Sequence, residues 1–388
     1  LKKIYAQSAL SFLLFAISLP ATAGITLGDA QNQLGALTVS GTLRANYQDK
    51  HYGEPASDQK IKFDAAILRL DYERSDWFGK LEYRCYQYDR LCDFSTLVYG
   101  YAGYRLNATD NITLGLQPIP FGPGRFWDSS FYAGLNNTMG LQDATNLGIN
   151  YHTELPSLTK IDLAYFASDG GNYHGASQDS ARYTANMVHS SDPLKTNLNE
   201  KNMWMARVDQ ALLSHDDLDI SVGGSYWYSD IENNKNGADG SRNTWALFNR
   251  IHYKNLNVVL TGGKQSIRNK DALSPDQSTF GSFDSEYDIA NTGYFYTLDT
   301  SYVFKDVMES LNVTPYLVFS GFHKQEQNFN DSQRNILGVT WGYKNMSLNT
   351  EYVMSKNDPF VGGNSSSLAQ GDDGKWNKLV NVMFQYHF

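Results

Sequence analysis

The stretch 36–48, Ala-Leu-Thr-Val-Ser-Gly-Thr-Leu-Arg-Ala-Asn-Tyr-Gln, decides the fold. Side chains alternate across a strand, so Leu37, Val39, Gly41, Leu43, Ala45 and Tyr47 share one face, and Thr38, Ser40, Thr42, Arg44 and Asn46 share the other. One face suits hydrocarbon and the other suits water. Strands in soluble sheets average about five or six residues, whereas a tilted strand needs about ten to cross a bilayer. The length of this alternation therefore points to lipid on its apolar side.

The pattern recurs in both directions. Leu81 and Tyr83 oppose Lys80, Glu82 and Arg84; Ile112, Leu114 and Leu116 oppose Thr113 and Gln117; Leu218, Ile220, Val222, Tyr226 and Tyr228 oppose Asp219, Ser221 and Ser225. Extending it predicts strands near 36–48, 60–74, 78–88, 94–105, 111–118, 146–153, 160–168 and 200–211, then 217–229, 242–253, 256–267, 290–304, 311–323, 333–343, 346–355 and 375–388. The fold expected for 24–388 is all-β: a transmembrane antiparallel β-barrel of about 16 strands, an even number as in bacterial single-chain barrels. The connections alternate as well. Short gaps fall at 75–77, 106–110, 154–159, 254–255 and 344–345, and long polar ones at 118–145, 169–201, 268–289 and 356–374. Short turns on the periplasmic side and long loops outside are the rule for such barrels.

Composition agrees. Among 388 residues, Tyr (26), Phe (20) and Gly (32) are abundant and Pro (10) is scarce, which suits many strands. Residues 1–23, with Lys2 and Lys3, the apolar stretch 12–19 and Ala21 and Ala23, have the layout of a secretory signal peptide, and beyond them no apolar run approaches the roughly 20 residues of a spanning helix. Removing the two signal lysines takes the formal charge from −9 to −11, a sign that disfavours nucleic acid. Cys85 and Cys92 would meet an oxidising compartment, where they close a disulfide or stay free thiols. Two cysteines make no zinc site, and no metal or cofactor is expected.

At the end of the sequence Trp376, Val380, Val382, Phe384, Tyr386 and Phe388 share one face. This resembles the C-terminal signature of outer-membrane proteins, which makes Phe384, Tyr386 and Phe388 the expected signal to the outer-membrane assembly machinery. Within 78–131, the strand Gly79-Lys80-Leu81-Glu82-Tyr83, the strand Tyr99-Gly100-Tyr101, and Leu114-Gly115-Leu116-Gln117 leading into Pro118 and Pro120-Phe121-Gly122 resemble the trimeric porins. The nearest likeness is to the broad family that includes the phosphate-selective porins. That resemblance implies a homotrimer in the bacterial outer membrane, in contact with lipid and lipopolysaccharide, that lets small polar solutes and ions diffuse passively. Phosphate selectivity in that family rests on clustered lysines and an arginine ladder, whereas the corresponding loop here holds only Arg125, so phosphate specificity is not implied.

The loop 118–145 is the candidate constriction, because Pro120-Phe121-Gly122-Pro123-Gly124 can turn sharply inward and bring Arg125 and Asp128 to the lumen. An ordinary external loop packed by Phe126, Trp127, Phe131 and Tyr132 is the alternative. Lumen parity sets Arg44, Arg69, Lys80 and Arg84 opposite, with Arg207, Arg250 and Arg334 farther round. Opposed fixed charges would create a transverse field, although Asp71, Glu73, Glu82, Asp209 and Glu351 share that face and pairing would make the cations structural. Aromatics near strand ends, among them Tyr47, Tyr72, Tyr226, Tyr294, Trp341 and Tyr343, read as an interfacial girdle. No catalytic residue stands out, since the histidines are scattered among many serines. A substrate-specific channel of the same fold is the close competitor; an outer-membrane hydrolase and an adhesive barrel with a blocked lumen are the other classes.

Overall fold

A computed structural model describes residues 24–53 and 59–388, so the signal peptide expected at 1–23 lies outside the described residues. Its wall is a closed barrel of sixteen antiparallel strands: β1 Gly35–Lys50, β2 Lys62–Arg74, β3 Trp77–Gln87, β4 Leu91–Arg105, β5 Asn111–Pro118, β6 Thr145–Glu154, β7 Thr159–Asp169 and β8 Leu198–His215, then β9 Leu218–Asn233, β10 Ala238–Tyr253, β11 Leu256–Arg268, β12 Thr292–Tyr302, β13 Leu311–Lys324, β14 Ser332–Tyr343, β15 Met346–Lys356 and β16 Asn377–His387. Closure comes from β1, which pairs with β2 along Ala36–Asn46 and with β16 along Thr42–Lys50. Below the point where β16 runs out, the short strand Ile25–Asp29 pairs with residues 35–39 and fills the vacant edge. A second short strand, Phe304–Met308, belongs to the turn between β12 and β13.

The outer surface carries the belt that alternation predicts. Leu114, Leu163, Leu247, Leu260 and Leu337 are each more than half exposed, which is tolerable only where lipid covers them. Aromatic rings bound this belt. Trp77 and Tyr104 meet beside a short turn with centroids 4.9 Å apart, and exposed Tyr226, Tyr228, Trp245, Tyr294 and Trp376 stand toward the long loops.

Two aromatic triplets show how one sequence pattern serves both surfaces. In Tyr226-Trp227-Tyr228 and Tyr294-Phe295-Tyr296 the flanking tyrosines face outward, while Trp227 and Phe295 are each 1% exposed and point into the barrel. There they join Phe166 and Phe322 of the wall, Phe121, Trp127, Leu135, Met139 and Leu141 of the third long loop (119–144, L3), Met187 of L4 (170–197), Phe280, Tyr287 and Ile289 of L6 (269–291), and Leu368 of L8 (357–376). Each such ring contributes about 1.5–3 kcal/mol on burial, so this side of the lumen is a packed core. L6 contains a hairpin, Gln277–Ser282 with Ser285–Ala290, that adds Asn186–Met187 of L4 as a third strand. Hydrogen bonds from Asp288 N to Ser365 O (2.7 Å) and Ala290 N to Leu368 O (3.2 Å) tie L8 to it, giving a cap on the loop side of the barrel.

Candidate functional site

L3 turns inward at Gly122, whose φ of +69° is left-handed. A Cβ there would lie 2.5 Å from the Trp127 ring, so only glycine fits both the turn and the packing. From this point L3 is bonded to one strand after another. Gly122 N donates to Ser225 Oγ (2.9 Å), and Arg207 donates to Gly122 O (2.8 Å) and Pro123 O (3.1 Å). Ser129 donates from N and Oγ to Asp299 (3.0 and 2.8 Å), Phe131 N donates to Glu351 (2.7 Å), and Leu135 N donates to Ser320 Oγ (2.9 Å). Arg334 closes the series, donating to Ala133 O (3.1 Å) and Gly134 O (3.3 Å) while its other side grips Asp358 of L8 at 2.7 Å. L3 is thus fastened to the wall from β8 round to β15, inside the barrel.

The opposite sector, β1 to β4, is lined by guanidinium groups. Arg44 pairs with Asp64 (2.5 Å), Arg69 and Arg84 share Glu82 (2.6 and 2.5 Å), and Arg125 of L3 pairs with Asp143 of the same loop. Lys80 pairs with Asp71 (3.3 Å) nearer the short turns. Aromatic rings hold these cations in place: Arg44 lies over Phe131 (5.4 Å), Arg84 over Tyr183 (4.6 Å) and Arg125 over Tyr99 (5.1 Å). Burial opposes the charge on Arg125, but Asp143, Tyr183 and Glu82 outweigh it and hold that pKa above the ordinary guanidinium value. Burial likewise pushes the Tyr183 phenol well above its usual range, so it remains neutral and donates to Asp143.

Charge in this sector does not cancel. Four guanidinium groups, Arg44, Arg69, Arg84 and Arg125, face three carboxylates, Asp64, Glu82 and Asp143. Among the described residues, Arg44 Nε and Arg125 Nη2 are buried and have no protein acceptor. Arg69 and Arg125 each keep 23% of their side chain exposed and Lys80 keeps 47%, so the sector retains contact with solvent.

Asp128 is a correction to the sequence expectation. It is 6% exposed and accepts from Ser130 N (3.1 Å), Gly134 N (3.0 Å) and Gln142 Nε2 (2.8 Å), so it braces L3 from within rather than facing the lumen. A three-residue Asp-x-Ser turn satisfies its own backbone first, and spacing alone does not reveal that. Arg207, Arg250 and Arg334 are bound up in anchoring L3, with Arg207 and Arg250 both on Asp209. Alternation placed them on the lumen face, but nothing in it showed that their partners are loop carbonyls.

Cys85 and Cys92 form a disulfide across the β3–β4 hairpin, whose turn is fastened by Tyr88, Asp89 and Arg90 N–H groups donating to Asp93 (2.9, 2.7 and 2.9 Å). Tyr386 and Phe384 face outward on β16, and Phe388 exchanges backbone hydrogen bonds with Gly41 (2.8 and 3.0 Å). Among the described residues no group of three or more His, Cys, Asp or Glu could hold a metal. The side-chain contact between Ser347 Oγ and His387 Nε2 (3.4 Å) has Thr42 on the second ring nitrogen rather than a carboxylate, which is not a hydrolytic triad.

A closed sixteen-stranded barrel with an outward apolar belt and a loop folded into its lumen is the architecture of bacterial outer-membrane porins. Among solved structures, the chain is similar to the outer membrane channel DcaP of Acinetobacter baumannii (TM-score 0.61, 14% identity, 93% of this chain and 100% of that one). It is also similar to Salmonella typhi OmpF, in a complex with daunomycin (TM-score 0.59, 14% identity, 94% and 100%), and to the outer membrane protein OmpT of Vibrio cholerae in its trimer form (TM-score 0.54, 12% identity, 92% and 100%). At these identities the likeness is one of fold. No protein-family model matches the sequence, and no curated protein matches it.

Proposed function

We propose that the protein is a homotrimeric porin of the bacterial outer membrane that passes small hydrophilic solutes and ions by diffusion, with a preference for anions. The observation that carries this reading is the division of the lumen. L3, fastened from β8 to β15, occupies one side, and on the other Arg44, Arg69, Arg84 and Arg125 gather, with Arg69 and Arg125 each keeping 23% of the side chain exposed. An excess of fixed positive charge on one wall of a narrow aqueous passage raises the local anion concentration and disfavours cations. The parts of Arg69 and Arg125 that stay exposed suit a carboxylate or another oxyanion in transit.

Single-channel recording of the refolded protein in a planar bilayer under a salt gradient tests this. Conductance in steps of three with an anion-selective reversal potential is expected, and replacing both Arg84 and Arg125 by Gln should move that potential toward cation selectivity. A folded barrel that never conducts would remove the channel reading, and a reversal potential indifferent to the double replacement would remove the role of the arginine wall.

A further inference from the structure

The L6 hairpin ends far from where it is rooted. β11 and β12 lie eight strands from β3 and β4, half the circumference of the sixteen-stranded wall. Yet the tip of the hairpin between β11 and β12 rests on the β3–β4 turn, where Tyr88 Oη donates to Phe283 O (3.2 Å). The Phe283 ring enters a socket of three aromatics, its centroid 5.6 Å from Tyr183 of L4, 5.9 Å from Tyr86 of β3 and 6.0 Å from Phe94 of β4, all in edge-to-face contact. The hairpin therefore crosses the mouth from the packed side of the lumen to the arginine side.

The residue at that tip runs against the needs of its own turn. Ser282 pairs with Ser285, so Phe283 and Asp284 form a two-residue turn in which both φ values are positive, +48° and +62°. Glycine, asparagine and aspartate suit such a turn, and Asp284 conforms. A bulky aromatic at φ > 0 is strained, so turn formation does not account for Phe283. The socket does, because no other residue of the hairpin reaches its three rings in the contacts above.

Two rings of the socket are the ones that hold Arg84. Its guanidinium lies 4.6 Å from the centre of the Tyr183 ring, and its Nη1 donates to Tyr86 Oη (3.3 Å). Tyr183 is otherwise held by its hydroxyl on Asp143, and Tyr86 by stacking on Phe94 with centroids 5.2 Å apart. Phe283 packs against both at once and fixes their tilt relative to each other. We propose that Phe283 is a positioning residue for Arg84: a loop rooted on the packed side reaches across the mouth and sets the orientation of a guanidinium on the selective wall. The consequence for selectivity rests on the channel reading above; the contact itself does not. Backbone bonds from Phe283 N to Arg182 O and from Asp284 N to Ser180 O (2.8 Å each) hold the turn whatever side chain stands at 283, so Phe283→Ala removes the ring and leaves the hairpin docked.

The test reads reversal potentials of the refolded full-length protein in planar bilayers under a salt gradient, with heat-modifiable migration on gels verifying that each variant is folded. In Phe283→Ala the anion-to-cation permeability ratio is expected to fall about two- to fivefold, the ratio that one cation–π contact at a wet site is worth. In an Arg84→Gln background the same replacement should cause no further fall, because the group it positions is gone. Phe280→Leu, on the same hairpin but packed into the apolar cluster with L3, should lower the urea midpoint and leave the ratio native. A native ratio in folded Phe283→Ala, a shift that adds in full to that of Arg84→Gln, or an equal shift in Phe280→Leu would each overturn the proposal. A second measurement needs no conduction. Phenylglyoxal modification of Arg84, followed by mass spectrometry of its peptide, should be faster in Phe283→Ala and unchanged at Arg69. If that rate rises in a protein that never conducts, the positioning stands and the porin reading falls; if the rate is native, the positioning falls whatever the channel does.

Discussion

The two sides of the lumen are built on opposite terms. From β8 to β15 the lumen holds aromatic and aliphatic side chains together with charges that bind L3, and Trp127 of L3 and Trp227, Phe295 and Phe322 of the wall are each 1% exposed. From β1 to β4 the inward-facing side chains include Arg44, Arg69 and Arg84, of which Arg69 and Arg84 share Glu82 and Arg69 keeps 23% of its side chain exposed. The packed side does the work of a soluble protein's core, holding a loop of 26 residues in one place. The arginine side is what that immobilised loop leaves open. Replacements on the packed side should therefore change stability and the width of the passage, whereas replacements on the arginine side should change selectivity with little cost in stability.

The largest expected effect is at Arg334. Its guanidinium and the Asp358 carboxylate are 2% and 0% exposed, and together they join L3 to L8. Arg334→Met strands a buried carboxylate, a change that costs about 3–5 kcal/mol. A lower urea midpoint and a larger, noisier single-channel conductance are expected, because L3 loses its last anchor. By contrast, Arg84→Met leaves Glu82 paired with Arg69, so its urea midpoint should move far less while the reversal potential shifts. Indistinguishable stability in the two variants would erase the distinction between the sides.

A smaller effect is expected at Glu351. Its carboxylate accepts from Phe131 N, Tyr132 N, Tyr316 Oη and Asn381 Nδ2 at 2.7, 3.2, 2.8 and 2.8 Å. Glu351→Gln keeps the shape but puts an amide where one of these donors needs an acceptor, a cost of about 1–3 kcal/mol. Since only the tip of L3 is loosened, conductance should fluctuate between two levels instead of rising outright. A steady native conductance would show that the tip is held by its rings and not by this carboxylate.

The wall of the barrel was legible in the sequence almost strand for strand, because period-two alternation is imposed by lipid outside and water inside. What alternation could not convey is an interior that is itself apolar. In Tyr226-Trp227-Tyr228 and Tyr294-Phe295-Tyr296 the pattern shows three aromatics in a row and nothing to separate the middle one. The L6 hairpin at 277–290 was hidden for a related reason: its Ser, Thr, Gly and Asp content reads as loop, and its strands are stabilised by L4 and L8 rather than by their own pattern. The arginine wall was legible as a set of positions. Which arginines bind a loop and which face the passage depended on where L3 comes to rest, a contact far apart in sequence.

The disulfide belongs to the arginine side and should matter least to the passage. Cys85 and Cys92 are seven residues apart, so their link constrains the unfolded chain by at most about 2.5 kcal/mol. Asp93 already fastens the same turn through three backbone N–H groups. Replacing both cysteines with serine should lower the urea midpoint slightly and leave conductance and selectivity unchanged; a selectivity shift would mean that the hairpin positions Arg84 more directly than its pairing with Glu82 does.

The smallest effect concerns the clasp between L4 and the tip of the L6 hairpin, where the cap reaches over the arginine side. Asp284 accepts from Ala176 N (2.7 Å), Ser177 N (2.8 Å) and Ser177 Oγ. Partial burial alone would raise its pKa, and the hydrogen bonds from Ser177 and Ala176 outweigh that and hold it below the ordinary Asp value. A carboxyl group depressed in the folded state stabilises it fully above the unfolded pKa of about 3.9, and the contribution fades as pH falls through the lower folded value. Hydrogen exchange across 172–182 should therefore be flat from neutral pH down to about 4 after correction for the intrinsic rate, and accelerate below it. In Asp284→Asn the exchange should already be faster at neutral pH and should show no such step. If the native step persists in that variant, another acid holds the cap.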